Sequence, residues 1–276
     1  MKEFRDYNDS QLEIERLKRI CPAAFSSHAN SSVSNKYSFI STENIINMLA
    51  KNDFKPYSAW QMNARSEEKA LTTKHILKFR HKSAPPKHYN SGGLVPEIIL
   101  NTSHDGLSSF KFMGGIFRKV CSNGLIVADA FGSNYNIKHM GANENDIIDA
   151  VFDVLKSTNN GVERTIKMKA LELSKDQKEQ FAHEAFFLRW SENDKPNFST
   201  IRLLEPKRSI DRSNDLFTIF NVVQENIIKG GIRYTSKNEN GIFERNKVRA
   251  IGSIDANIKI NKGLWGLAEK FLNLTS

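Results

Sequence analysis

Apolar residues Leu12, Ile14, Leu17 and Ile20 recur among Glu and Arg over residues 9–20, which predicts a helix that Pro22 ends. Residues 26–35, rich in Ser and Asn, read as a loop, and Lys36-Tyr37-Ser38-Phe39-Ile40 reads as a short strand. Ser41 or Thr42 is placed to cap a helix carrying Ile45, Ile46, Leu49 and Ala50 on one stripe. Beyond it Pro56 opposes a continuing helix, so residues 54–60 are expected to be extended. Residues 75–80 alternate as a strand does. Residues 82–93, with Pro85-Pro86 and Gly92-Gly93, form a loop. Residues 95–100 and 109–113 then read as a hairpin around Asp105-Gly106. Residues 125–131 and 135–139 extend the same sheet through the turn Gly132-Ser133-Asn134.

From Glu144 the period changes. Ile147, Ile148, Val151, Phe152 and Leu155 mark a helix expected to stop near Asn159-Asn160-Gly161, and a second carries Ile166, Met168 and Leu171. Ser174 is a plausible cap for a helix over 175–190, and Phe152, Phe181 and Phe186 are assigned to the core. The polar segment 191–199, with Pro196, is the expected boundary between an α+β core domain (1–190) and a helical C-terminal subdomain (200–276) packed on it. In the latter, a helix over 214–229 ends at Gly230-Gly231, residues 234–245 read as a loop, and 258–272 as a closing helix. The strands cluster instead of alternating with helices. The fold class is therefore α+β: a central, mostly antiparallel sheet of clustered hairpin strands, flanked by helices, with a mainly helical C-terminal part.

Composition adds a partner class. Of 276 residues, 39% are hydrophobic and 26% charged, and eighteen phenylalanines supply enough large apolar groups for a packed core. The formal charge of +9 favours a polyanionic partner, nucleic acid above all. Cys21 and Cys121 make no disulfide framework. Glu3, Asp6 and Asp9 stand where a signal peptide would be basic, and no run approaches the roughly 20 apolar residues of a membrane span. A cytoplasmic protein with no membrane partner is expected.

The segment 94–140 sets polar residues and glycines inside core-like runs, yet no familiar catalytic signature fills it. Ser103-His104-Asp105 are neighbours in sequence, and a hydrolase triad is an arrangement in space; Asp105-Gly106 is explained by a turn. His75, His81 and His88 lack metal-site spacing, and Gly114-Gly115 lacks the rest of a phosphate loop. Cys121 beside Arg118 and Lys119 reads as a small packed thiol. No catalytic residue, metal ligand or cofactor is assigned. The basic positions are more numerous. Lys78, Arg80, Lys111, Arg118, Lys119, Arg233, Lys247 and Arg249 are the candidate phosphate contacts, with His104, Asp105 and Asn123 at contact loops. Tyr57, Trp60, Phe110 or Tyr234 would stack on exposed bases.

Several blocks carry a resemblance: Val95-Pro96-Glu97-Ile98-Ile99-Leu100, Asn101-Thr102-Ser103-His104-Asp105-Gly106, Gly115-Ile116-Phe117-Arg118 and Val120-Cys121-Ser122-Asn123-Gly124-Leu125. Ser213-Asn214-Asp215-Leu216, the run from Gln224 to Gly231, Arg249-Ala250-Ile251-Gly252-Ser253-Ile254-Asp255 and Asn261-Lys262-Gly263-Leu264-Trp265 continue it. Over these blocks the chain resembles the phage- and plasmid-like family called domain of unknown function 932, in its prophage branch. The resemblance brings no catalytic residues. It implies a role in mobile-element maintenance, recombination or conflict with host defence. Hairpin strands followed by helices also fit, by analogy of fold, a single-strand-annealing protein, which would act as a homo-oligomer. The reading is a non-enzymatic DNA-binding protein of a mobile element. Its rivals are an effector that binds a host defence protein, and a metal-dependent nuclease using Glu97, Asp105 and Asp129.

Overall fold

Two apolar runs on either side of Asp105-Gly106 form the longest hairpin among the described residues, Leu94–Thr102 (β4) with Phe110–Arg118 (β5). Gly106 adopts φ +76°, a left-handed conformation that a side chain would strain. The computed structural model describes residues 5–7, 10–35, 37–83, 94–118, 123–126, 135–137, 144–237 and 239–274, and it divides into two units, Met1–Val162 and Glu163–Ser276. The architecture is α+β with an antiparallel sheet, as the strand clustering predicts.

In the first unit the sheet runs Arg5–Tyr7 (β1), Phe54–Gln61 (β2), His75–His81 (β3), β4, β5 and Asn123–Ile126 (β6). Tyr135–Ile137 (β7) also pairs with β5. Register decides which side chains share a face. Leu77, Leu100 and Phe112 lie across from one another, as do Phe79 and Ile98, and they build one apolar face. Helices Ile14–Ile20 (α1) and Thr42–Lys51 (α2), with the first turns of Glu144–Ala170 (α4), contribute Leu17, Ile45, Leu49, Val151 and Val154 to the same core. Ser41 caps α2 by accepting from the Asn44 N–H. A single-turn helix, Glu67–Ala70 (α3), lies between β2 and β3. The other sheet face carries Ser58, Trp60, Lys78, Arg80, Glu97, Ile99, Asn101 and Met113, all buried.

Four local expectations change here. Residues 37–40 form no strand, and α1 begins at Ile14. The stop expected at Asn159-Asn160-Gly161 does not occur. Buried positions 147, 151, 154, 158, 161, 165 and 168 keep a helical period straight through Gly161, and continuous packing outweighs the roughly 1 kcal/mol that a mid-helix glycine costs. Phe152 falls beside that stripe and is 40% exposed, touching Phe54 and His81 edge-on.

In the second unit Leu216–Lys229 (α6) is the central helix, buried from Leu216 through Ile227. Lys175–Arg189 (α5) and Ile254–Leu274 (α7) pack with it, and Ser174 and Gln177 close a capping box at the start of α5. Two buried amides tie α6 to its neighbours: Gln224 Nε2 donates to Asn261 at 2.6 Å, and Asn226 donates to the Leu203 and Glu205 carbonyls at 2.9 Å. Residues 234–245, expected as a loop, belong to a two-stranded hairpin, Arg233–Lys237 (β8) with Phe243–Lys247 (β9), turning at Gly241 with φ +75°. The expected boundary at 191–199 falls inside this unit, where Asn197 donates to the Thr235 carbonyl of β8. No helix among the described residues is long and apolar enough to cross a membrane.

Candidate nucleic-acid interface

Strand period two puts Lys78 and Arg80 on the same sheet face, and antiparallel register brings Glu97 of β4 between them. Arg80 Nε donates to Glu97 Oε1 at 2.9 Å, and Lys78 Nζ stands 3.8 Å from Oε2. The Arg80 guanidinium also lies 4.2 Å from the Tyr57 ring centroid. Both cations are over nine-tenths buried, as is Arg118 at the end of β5. These three side chains, expected at a phosphate-binding surface, lie inside the first unit. Lys111 is half-buried beside Asn101, Asn123 on β6 is the register partner of Arg118, and Lys119 lies outside the described residues.

His104 is likewise interior. His75 Nδ1 lies 3.0 Å from the Thr73 carbonyl, so this nitrogen carries the proton and donates. His75 Nε2 must then accept from the Thr42 hydroxyl, 3.0 Å away, and the Thr42 oxygen accepts in turn from His104 Nε2 at 3.3 Å. Burial pushes the His75 pKa down to about 3, and the neighbouring His104 adds to the effect. This relay pins the start of α2 to the sheet. Asp105 shapes the loop, accepting from the Ser103 hydroxyl at 2.6 Å and the Leu107 N–H at 2.9 Å. It borders a polar cavity of about 370 Å³ with Asn30, Arg65, Lys69 and Thr72. His81 hydrogen-bonds Ser83, apart from His75, and His88 lies outside the described residues. Cys21 is buried and its thiol is pushed up to about 12 by that burial; Cys121 and Asp129 lie outside the described residues. Among the described residues no group of three or more His, Cys, Asp or Glu converges as a metal site.

The second unit separates two kinds of cation. Arg208 makes a bidentate pair with Glu225 at 2.6 and 2.8 Å and reaches Asp211 at 2.9 Å, while Lys229 shares Glu225 at 3.0 Å. Arg164 is held by Glu269 and Lys270 by Glu184. The hairpin differs. In its register Arg233 faces Lys247, Thr235 faces Arg245 and Lys237 faces Phe243, which puts all six on one side of the ribbon. All six are exposed, and among the described residues that side of the ribbon holds no carboxylate. Arg233, Arg245 and Lys247 make no ion pair with any described carboxylate, nor does Arg249 just beyond β9. Two like charges directly across a ladder are unfavourable by a few tenths of a kcal/mol or more. Lys207 nearby has its pKa lowered, by burial first and then by repulsion from Lys229, Arg208 and Lys247, which Glu225 opposes.

The opposite side of the hairpin, Tyr234, Ser236 and Asn246, lines a cleft of about 430 Å³. Trp190, Lys195, Asn197, Lys247 and Arg249 complete it, with Asp194 as its acidic residue. Trp190 ends α5 and is fixed by Phe186, Phe198 and the Arg189 guanidinium, whose carbon lies 4.7 Å from the Trp190 ring centroid. Half-buried Trp190 and Tyr234 thus present aromatic surface beside cations, the composition that holds stacked bases and their phosphates. Of the expected contacts, the structure brings together Arg233, Lys247 and Arg249. Lys237 and Arg245, which the sequence also sets in the basic group around this glycine-bearing loop, join them on the ribbon, whereas Trp190 and Lys195 were not among the expected contacts.

Comparison with known proteins places the chain in a family. The model described as domain of unknown function (DUF932) matches residues 29–265. UPF0380 protein YafZ and UPF0380 protein YfjQ, both of Escherichia coli (strain K12), are each 34% identical over 264 residues, covering 96% of this chain and 93% of the relative. No solved structure matches. The chain belongs to the DUF932 family.

Proposed function

We propose that this DUF932 protein is a non-enzymatic DNA-binding protein of a mobile element, and that it holds DNA on the β8–β9 hairpin of its second unit. One observation carries the reading: Arg233, Arg245 and Lys247 share an exposed ribbon face with no described carboxylate to satisfy them. Such a face is unfavourable in isolation and becomes favourable when phosphates replace the missing anions and release their counterions. The aromatic, cationic cleft behind the ribbon supports the same partner. The buried cations of the first unit, tied to Glu97, serve its interior instead.

The test is fluorescence anisotropy with labelled duplex and single-stranded DNA between 50 and 200 mM salt. Wild-type binding should weaken steeply with salt. The variant R233E/R245E/K247E should lose at least tenfold at 100 mM salt, and its salt slope should fall by roughly 0.9 for each duplex phosphate contact removed. A charge-matched control at exposed first-unit sites, K18E/K51E/K55E, should retain affinity within about threefold. Absence of wild-type binding at 50 mM salt, or equal losses in the two variants, refutes the proposal.

A further inference from the structure

The turn of the hairpin carries a second feature that phosphate binding leaves unexplained. Phe243 is 69% exposed at the first position of β9, and Ile242 before it is 61% exposed. Gly241 beside them has open space around the position a Cβ would take, so this end of the ribbon projects outward. A large aromatic ring in water at the tip of a short two-stranded ribbon contributes nothing to a core and exposes apolar surface. It shares the ribbon face with Lys237, whose ammonium stands 5.0 Å from the ring centroid, and with Arg245, Arg233 and Lys247.

We infer that Phe243 is a wedge that enters a base step of duplex DNA while the cations behind it hold the flanking phosphates. The inference rests on the DNA-binding reading above and goes beyond it, naming a duplex that is bent as the partner. The spacing fits. Strand rise places Arg245 about 7 Å and Lys247 about 14 Å from Phe243 along β9. Duplex steps rise about 3.4 Å each, so those cations fall level with phosphates roughly two and four steps from the wedge. Apolar side chains inserted between base pairs unstack one step and kink the helix, letting more of the protein reach the backbone. A lipid surface is the other partner a basic ribbon with an apolar tip would suit. Two apolar side chains bury less than the single acyl chain that already holds membranes only marginally, so the observations favour DNA.

The experiment uses the full chain and a duplex of about 20 base pairs with 2-aminopurine scanned along it and a dye pair at its ends. Wild type is expected to brighten 2-aminopurine at one step and to shorten the end-to-end distance. F243A should abolish both signals, lower duplex affinity roughly fivefold or more, as losing one ring–base stack does, and leave the salt slope unchanged. F243W should keep both signals. Because the side chain is exposed, F243A should unfold like wild type. If F243A bends and unstacks the duplex as wild type does, the wedge is refuted while DNA binding by the cation face stands. The wedge is equally refuted if wild type leaves 2-aminopurine unchanged but cosediments with phosphatidylserine vesicles in a Phe243-dependent way. Failure of wild type to bind any DNA refutes the parent reading as well, and is told apart by its missing salt-dependent anisotropy.

Discussion

Replacing Glu97 by Gln keeps the shape of the side chain and removes the charge that Arg80 and Lys78 share. The carboxylate is 1% exposed and its two contacts are 2.9 and 3.8 Å long. At an effective dielectric of about 20, a unit charge pair near 4 Å is worth roughly 4 kcal/mol, so about 8 kcal/mol of gross attraction is at stake. Much of that offsets the cost of desolvating three ions, and breaking a buried pair by removing one partner has a net cost of about 3–5 kcal/mol. For a chain of this size each kcal/mol moves the midpoint about 2–4 °C, so the transition of the first unit should fall by roughly 6–20 °C. Urea and thermal unfolding should be followed by the fluorescence of Trp60, which lies on the same sheet face, in a W190F/W265F background. Adding K78M to E97Q removes one of the two buried cations that Glu97 balances and should recover part of the loss. Raising the salt should recover little, because buried charges are weakly screened. A shift of E97Q below about 0.5 kcal/mol would show that Lys78 and Arg80 are not bound to the interior by Glu97.

Two further perturbations probe the first unit. His75 is neutral when folded, with its pKa pushed down to about 3, while in the unfolded chain it takes up the proton near the usual histidine value of about 6.5. Its contribution is therefore complete above pH 6.5 and lost as the pH falls from 6.5 towards 3, by up to about 1.4 kcal/mol per unit; H75Q should flatten the acid limb of stability against pH by about one proton. At Gly114 a Cβ would overlap the Thr158 hydroxyl, which donates to the Val154 carbonyl, so G114A should destabilise by about 1–3 kcal/mol. T158A should relieve most of that, giving a coupling of about 1 kcal/mol or more in a double-mutant cycle by urea unfolding; simple additivity would contradict the packing described.

How much of this was legible in sequence depended on whether a residue's partner was local. Residues 75–80 and 95–100 read as strands because one face must be apolar, and Ser174 and Gly230 mark helix ends through their own backbone preferences. The continuity of α4 was hidden because Asn159-Asn160-Gly161 is a strong local stop, and only the packed stripe from Ile147 to Met168 overrides it. The β8–β9 hairpin was read as a loop because both its faces are largely exposed, which removes the hydrophobic alternation that announces a strand. Lys78 and Arg80 looked like surface cations for a related reason. Glu97 is 17 residues from Arg80 along the chain, and only the register of β3 with β4 brings them together. Of the expected contact loop, Asp105 does border a cavity, while His104 is spent on the relay through Thr42.

The two groups of cations have different physical consequences, and this makes the site separable from the fold. Where a carboxylate already satisfies a buried Lys or Arg, neutralising the cation disturbs stability and has no direct route to a ligand. Where like charges stand across an exposed ladder without a carboxylate, as at Arg233 and Lys247, removing one should leave stability unchanged or slightly raised. Any loss of association must then come from the partner. Net charge alone cannot make this distinction, since +9 counts both groups equally. The hairpin can be charge-reversed without dismantling either core, so a loss of DNA association in a variant that unfolds like wild type would locate the phosphate contacts on one face of one ribbon.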